Sequence, residues 1–212
     1  GPRDVAGGRR AGGIPAVMYA AVRRAPWSRG HHAGLGLHLQ ASPASRGHHV
    51  ADVVVFSGNA HPALAQRICS HLGVRLSGVD ISRFSNDCLQ AQLLANCRQR
   101  DVYIIQPLVP PTQEHLMELL LMIDAARGAS AASITAVMPH YAYARSDKKD
   151  ASRISIGGRL VADLLKTAGV TRVLTMALHA PQVHGFFRVP VDHLTAIGVI
   201  ADHYRAMNLD NH

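Results

Sequence analysis

The rhythm of apolar and polar residues changes along this chain, and each change marks out an element. Asp52–Phe56 is a short β-branched apolar run ended by Ser57-Gly58-Asn59, the pattern of a buried strand running into a turn. Pro62–Leu72 spaces Leu64, Ile68 and Leu72 four apart, with Gly73 behind them, which predicts a helix closed by a glycine. Two short strand-like pieces follow, around Arg75–Ile81 and Leu89–Leu94, and Val102–Gln106 predicts another buried strand. Pro110-Pro111-Thr112 opens a long helix. Thr112 is its expected N-cap, and Glu114 in the first turn suits the positive helix end. Leu116, Leu119, Leu120 and Ile123 keep the helical period until Gly128.

Beyond it, Ser133–Met138 predicts a strand, and Pro139 to Arg153 a long polar loop. Ser155 is the expected cap of a helix whose Ile156, Leu160, Val161, Leu164 and Leu165 form one stripe, stopped at Gly169. Arg172–Met176 predicts the next strand and Leu194–Met207 a last helix. Strands alternating with helices of this length imply an α/β fold with a parallel sheet.

Charge divides the chain differently. Residues 1–50 carry seven arginines, no lysine and a single acid, Asp4. The other 162 residues carry 15 bases against 13 acids, so the pI of about 10.0 belongs mainly to the leader. A body this close to neutrality does not suggest a nucleic-acid partner. The leader is rich in Gly, Pro, Arg and paired histidines (His31-His32, His48-His49), and only Ala16–Arg24 has the pattern of a short helix. It is expected to be disordered, with the body folding as one domain over 51–212. Cys69, Cys88 and Cys97 are odd in number and form no C-x-x-C pair, which points to a reducing, cytoplasmic setting rather than a disulfide framework or zinc site. The longest apolar stretch, Leu116–Ala126, is broken by Glu118 and Asp124, so no membrane span is expected. Starting at Gly1 and stopping at His212 without a terminating element, the chain reads as a fragment or partial gene product.

In an open parallel sheet, ligands bind beyond the carboxyl ends of the strands. Two predicted strands lead there into polar segments. The loop His140 to Arg153 mixes bases (Arg145, Lys148, Lys149, Arg153) with carboxylates (Asp147, Asp150). Such a mixture suits a magnesium–nucleotide, since Arg and Lys neutralise phosphate oxygens while Asp holds the metal or its waters. It equally suits a solvated loop. His179 just beyond Arg172–Met176 is placed for a metal or phosphate, although a single histidine there is more often structural. H-E-x-x-H, Walker, G-x-S-x-G and G-x-G-x-x-G motifs are absent from the sequence.

Taken together and in order, these segments resemble the ribose-phosphate diphosphokinase family. Phe56–Pro62 is similar to its opening strand and turn, and Ser82–Asp87 to its Phe-Ser-Asn/Asp-Gly-Glu stretch. Arg145–Asp150 resembles its Arg-Gln/Ser-Asp-Lys-Lys-Asp nucleotide loop. Leu178–Gln182, Gly185–Phe187 and Pro190–Asp192 resemble its metal-histidine segment. The resemblance runs from about Val53 to about Ala196. It implies a phosphoribosyltransferase-like α/β domain with helices on both faces, the amino-terminal one of two. It also implies transfer of the pyrophosphoryl group of ATP to ribose 5-phosphate, with Mg2+, in a homo-oligomer from dimer to hexamer.

By position, Phe84 and Asn86 would lie at the adenine across a subunit boundary. Arg145, Ser146, Asp147 and Lys148 would contact the nucleotide, and His179 and Asp192 the metal. No catalytic residue is expected within this chain, because the family keeps its Lys/Arg pair in the second domain, so the fragment alone should be inactive. The chain departs from the pattern at Asp87 and Cys88, where the family has Gly and Glu. It departs again at Ala177, where many members have Asp, and at Arg188, where some have an acid. Two other readings stay open on these departures: a non-catalytic, associated regulatory member of the family, and a degenerate gene fragment.

Overall fold

The computed structural model describes residues 53–207. The Arg-rich leader with its helix candidate Ala16–Arg24, and Asp52, lie outside the described residues. Thirteen short elements follow. Strand β1 (Val53–Ser57) leads into helix α1 (Pro62–Leu72), then β2 (Val79–Arg83), β3 (Leu89–Leu93) and β4 (Asp101–Ile105). Helix α2 (Thr112–Gly128), β5 (Ser133–Met138), a 3-10 turn (Ala142–Arg145) and α3 (Gly157–Ala168) come next. The described part ends with β6 (Arg172–Met176), a second 3-10 turn (Pro181–Phe186), β7 (Val191–Leu194) and α4 (Ile197–Ala206).

Five strands form one sheet in the order β1-β4-β5-β6-β7, every pairing parallel. Phe56, Ile104, Ala136, Val173 and Val191 stand in register across all five. Since side chains alternate along a strand, this row faces one way, towards Leu119, Met122, Ile123 and Ala126 of α2 and Val161, Ala162 and Leu165 of α3. Val55, Ile105, Val137 and Leu174 face the other way, towards Leu64, Ala65, Ile68 and Cys69 of α1. Helices therefore cover both faces, as the strands' apolar character requires. Each large side chain so buried contributes roughly 1.5–3 kcal/mol.

Several expectations need correcting. The piece expected around Arg75–Ile81 is strand over Val79–Arg83, with Leu76 only bridging to Val55, while Leu89–Leu93 is strand as expected; the two pair beside the five-stranded sheet as an antiparallel hairpin, β2–β3. Its Val79, Ile81, Ala91 and Leu93 pack on the α2 side of the core. Thr112 is the first residue of α2, not its cap; Pro111 holds that position and makes no side-chain bond. Ser155 does not cap α3 either, because Ile156 sits at the cap. The buried stripe of α3 is Gly157, Gly158, Val161, Ala162 and Leu165, leaving Leu160 and Leu164 exposed. The predicted helix Leu194–Met207 begins three residues late, because Val191–Leu194 joins the sheet edge beside β6.

One buried polar network was not foreseen. Glu118 on α2 is 1% exposed. It accepts from the Asn59 amide (3.1 Å), Asn59 Nδ2 (2.9 Å) and Gln106 Nε2 (2.6 Å). Gln106 Oε1 in turn accepts from the Ala60 amide. The turn after β1 is thus tied to the end of β4 and to α2. A Cβ at Gly58 would press on the Gln106 carboxamide and push it out of this network. Glu118→Ala removes the acceptor of two part-buried Asn59 donors and leaves buried Gln106 Nε2 only the His115 carbonyl, and should destabilise the fold by about 1–3 kcal/mol, read as a lower urea midpoint. A change below about 0.5 kcal/mol would show the network to be dispensable.

The three cysteines are free, with Cys69 and Cys97 buried and Cys88 exposed. Burial pushes the Cys69 thiol up to about 11 from its ordinary 9.0. The protonated form is favoured in the fold, so its contribution is complete below the unfolded value and is lost as pH rises through about 11. A thiol reagent at neutral pH should label Cys88 in the native chain, and Cys69 and Cys97 only after denaturation.

Candidate functional site

The loop leaving β5 is anchored from below. Tyr141 is buried; its hydroxyl donates to the Gly158 carbonyl (2.7 Å), and its ring lies 5.3 Å from that of Phe187. Burial, with a smaller effect from Asp163, raises its phenol well above the ordinary range. The 3-10 turn then brings Ser146 to the start of α3. Ser146 Oγ accepts from the Gly157 amide (2.8 Å), and its carbonyl accepts from the Gly158 amide (3.0 Å). A side chain on Gly158 would place Cβ 2.9 Å from the Tyr143 carbonyl. The two glycines therefore let the loop lie against the helix, and Ser146 supplies the cap that Ser155 does not.

The loop leaving β6 starts with a sharp change of direction. Ala177 adopts a left-handed backbone (φ +48°), a strained choice for a residue with a Cβ, costing on the order of 1–3 kcal/mol. Its amide donates to the Leu194 carbonyl (2.9 Å), and the next amide, Leu178, donates to His193 Nε2 (2.9 Å). His179 follows, exposed. The chain then turns through Pro181–Phe186, pinned by fully buried Val183. Gln182 Nε2 donates to Asp147 Oδ2 at 2.7 Å. That bond joins the two loops across neighbouring strand ends.

Arg145, Ser146, Asp147, Lys148 and His179 are thereby brought onto adjoining loops at one rim of the sheet. Arg145 and Lys148 are exposed and make no ion pair among the described residues. Asp192 lies elsewhere. It shares a register row with Leu174 on the α1 face, where its carboxylate pairs with Arg172 at 2.8 Å. Phe84 and Asn86 sit at the tip of the β2–β3 hairpin, with no hydrogen bond to residues 145–148 among the described residues. Arg83 holds that tip through Asp87 and through Glu114 (2.6 Å) at the start of α2. The described residues contain no group of three or more His, Cys, Asp or Glu able to hold a metal. Gln182, His193 and the Gly157-Gly158 pair were missed in the sequence; the paired glycines at a helix start were the one local signal.

The model of the N-terminal domain of ribose phosphate pyrophosphokinase matches residues 53–169. The chain belongs to this family. A Streptomyces coelicolor protein provisionally named a ribose-phosphate pyrophosphokinase is 68% identical over 158 residues, 74% of this chain and 50% of that protein. A Deinococcus radiodurans ribose-phosphate pyrophosphokinase is 54% identical over 160 residues, 76% of this chain and 50% of that one. The fold is similar to the crystal structure of phosphoribosylpyrophosphate synthetase from Mycobacterium smegmatis, with a TM-score of 0.69 and 41% identity. That likeness covers 73% of this chain and 53% of the other. The chain spans about half the length of the curated relatives it matches.

Asp87 has φ +70° in the turn of the hairpin, a conformation for which glycine is preferred. Arg188 faces Asp163 of α3 at 3.5 Å. None of the helices is long and apolar enough to cross a membrane among the described residues. Two substitutions test the geometry by thermal unfolding. Ser146→Ala should cost about 0.5–2 kcal/mol through loss of the α3 cap, and Ala177→Gly should gain up to about 1 kcal/mol by removing the left-handed strain. The opposite sign for either would show the turn to be built differently.

Proposed function

We propose that the body of this chain, residues 51–212, is the nucleotide half-site of a ribose-phosphate diphosphokinase, with residues 1–50 a leader outside the domain. The observation that carries this reading is the Asp147–Gln182 bond. It clasps a loop with unpaired cations to the loop bearing His179. Phosphoryl-transfer sites work mainly by positioning and charge neutralisation, and a clasped cationic rim provides both for a triphosphate.

In this reading Arg145 and Lys148 neutralise phosphate oxygens. Ser146 orients them through its hold on α3, and Asp147 fixes the loop's height over the sheet. Mg2+ bound with the triphosphate would spread its charge, and His179 would be the residue to hold it. Such an ion keeps waters and takes few protein ligands, which fits a rim carrying His179 without a closed ligand set. Asp192 joins it only by leaving Arg172. Phe84 and Asn86 act on the adenine of a neighbouring subunit, a role the family resemblance implies together with a homo-oligomer, dimer to hexamer. The complete enzyme converts ATP and ribose 5-phosphate into phosphoribosyl pyrophosphate and AMP in the cytoplasm, for nucleotide biosynthesis. The chain on its own binds nucleotide and does not turn over. A regulatory, non-catalytic family member is the second reading, favoured by Cys88 and Ala177 at positions where relatives carry acids.

Titration of the chain with magnesium–ATP discriminates between them. Binding should be weak, and Arg145→Ala and His179→Ala should each lower affinity about tenfold, the worth of one charge-assisted bond. Absence of any magnesium–ATP binding by the wild-type chain would refute the half-site. Stoichiometric AMP release dependent on ribose 5-phosphate would refute the claim that the chain is inactive alone.

A further inference from the structure

We infer that His193 is a positioning residue for the loop that carries His179, an assignment that rests on reading His179 as the contact to magnesium-bound phosphate. His193 lies on β7, the last strand of the sheet, in register with Thr175 near the end of β6. Two residues past Thr175, the left-handed Ala177 turns the chain out of the strand direction. Its amide reaches the Leu194 carbonyl, at the final residue of β7. The following amide, Leu178, has no strand carbonyl left to donate to, and a side chain replaces one: His193 Nε2, at 2.9 Å.

The imidazole acts there as an acceptor, with its proton on Nδ1. Among the described residues, His193 is the only side chain hydrogen-bonded to the backbone of residues 177–180. Thr175 Oγ, buried beneath, makes no hydrogen bond. His179 is one peptide beyond the anchored amide, a Cα step of about 3.8 Å, so the direction in which it leaves the sheet depends on that bond. Below it, Gln182 is fixed from the other side by Asp147. The loop is thus held at both ends, by His193 before His179 and by Asp147 after it. An exposed edge-strand residue that would otherwise be free to vary is given a specific chemical requirement: an acceptor at the height of the Leu178 amide.

The test compares His193→Phe and His193→Gln with wild type in the 212-residue chain, using ATP with magnesium and ATP with chelator. Hydrogen exchange at the Leu178 amide is read by NMR in parallel. His193→Phe should speed Leu178 exchange about tenfold or more while the β6 amides stay protected. It should also reduce the magnesium-dependent gain in ATP affinity about tenfold, in the range typical of partners that orient a metal-site residue, with affinity for metal-free ATP unchanged. His193→Gln, which keeps an acceptor, should restore most of both. A magnesium-dependent gain that survives His193→Phe despite fast Leu178 exchange would overturn the positioning role while leaving the half-site intact. So would a failure of His193→Gln to restore what His193→Phe removes. A wild-type chain with no magnesium-dependent gain would instead overturn the half-site reading, and this role with it.

Discussion

Parallel pairing of β5 with β6 aligns Val137 with Leu174 and Met138 with Thr175, so the two strands end within one residue of each other. The two segments that follow them leave side by side. Parallel neighbours cannot be joined by a tight turn and need a crossover, here α3. The start of that crossover is where Ser146 docks. One pairing therefore sets three things: the adjacency of the cationic loop and the His179 loop, the place of the helix that caps the first, and the 2.7 Å bond from Gln182 to Asp147 that joins them. Slipping the register by a residue would reverse the faces of β6, burying Arg172 against α2 and α3 and separating the loops.

Rigidity comes from below the rim. The face covered by α2 and α3 holds the larger share of the core, including Tyr141 and Phe187, which reach down from the two loops. A loop rooted by a buried aromatic loses its conformational entropy before any ligand arrives. The Glu118 network does the same for the turn after β1. Left-handed non-glycine residues among those described lie in turns and loops rather than in the core, at Asp87, Gln99, Ser130, Arg153 and Ala177. Strained positions of this kind persist only where neighbours over-determine them. Ala177 has such neighbours in Leu194 and His193.

Much of this was legible in the chain itself. Ser133–Met138 and Arg172–Met176 match β5 and β6 residue for residue, and Pro62–Leu72 matches α1. Each is a strongly patterned run with Gly, Pro or polar punctuation at its ends, so local preference and tertiary demand agree. Gly73 takes the left-handed φ +67° expected of a helix stop. The loops that carry Arg145–Lys148 and His179 were located in the sequence because each follows a buried strand, whereas the roles expected of those residues came from the family resemblance, since a mixed-charge loop equally suits solvent. The errors came where a partner distant in sequence decided the outcome. Val191–Leu194 became a strand because β6 was beside it. Ser146 displaced Ser155 as cap because the 3-10 turn folded back eleven residues. Leu160 and Leu164 stayed outside although their spacing was helical, because the two glycines drew another face of α3 inward.

The amino-acid sequence by itself determined the class of fold, most element positions and the residue types of the candidate site, since these follow from periodicity, capping and composition within short windows. Tertiary structure alone decided which polar groups meet. Asp147 with Gln182, Leu178 with His193, Asp192 with Arg172 and Glu118 with Asn59 are separated by 35, 15, 20 and 59 positions. Hydrogen bonds act over about 3 Å, and no local rule reports which distant residues the sheet will bring that close.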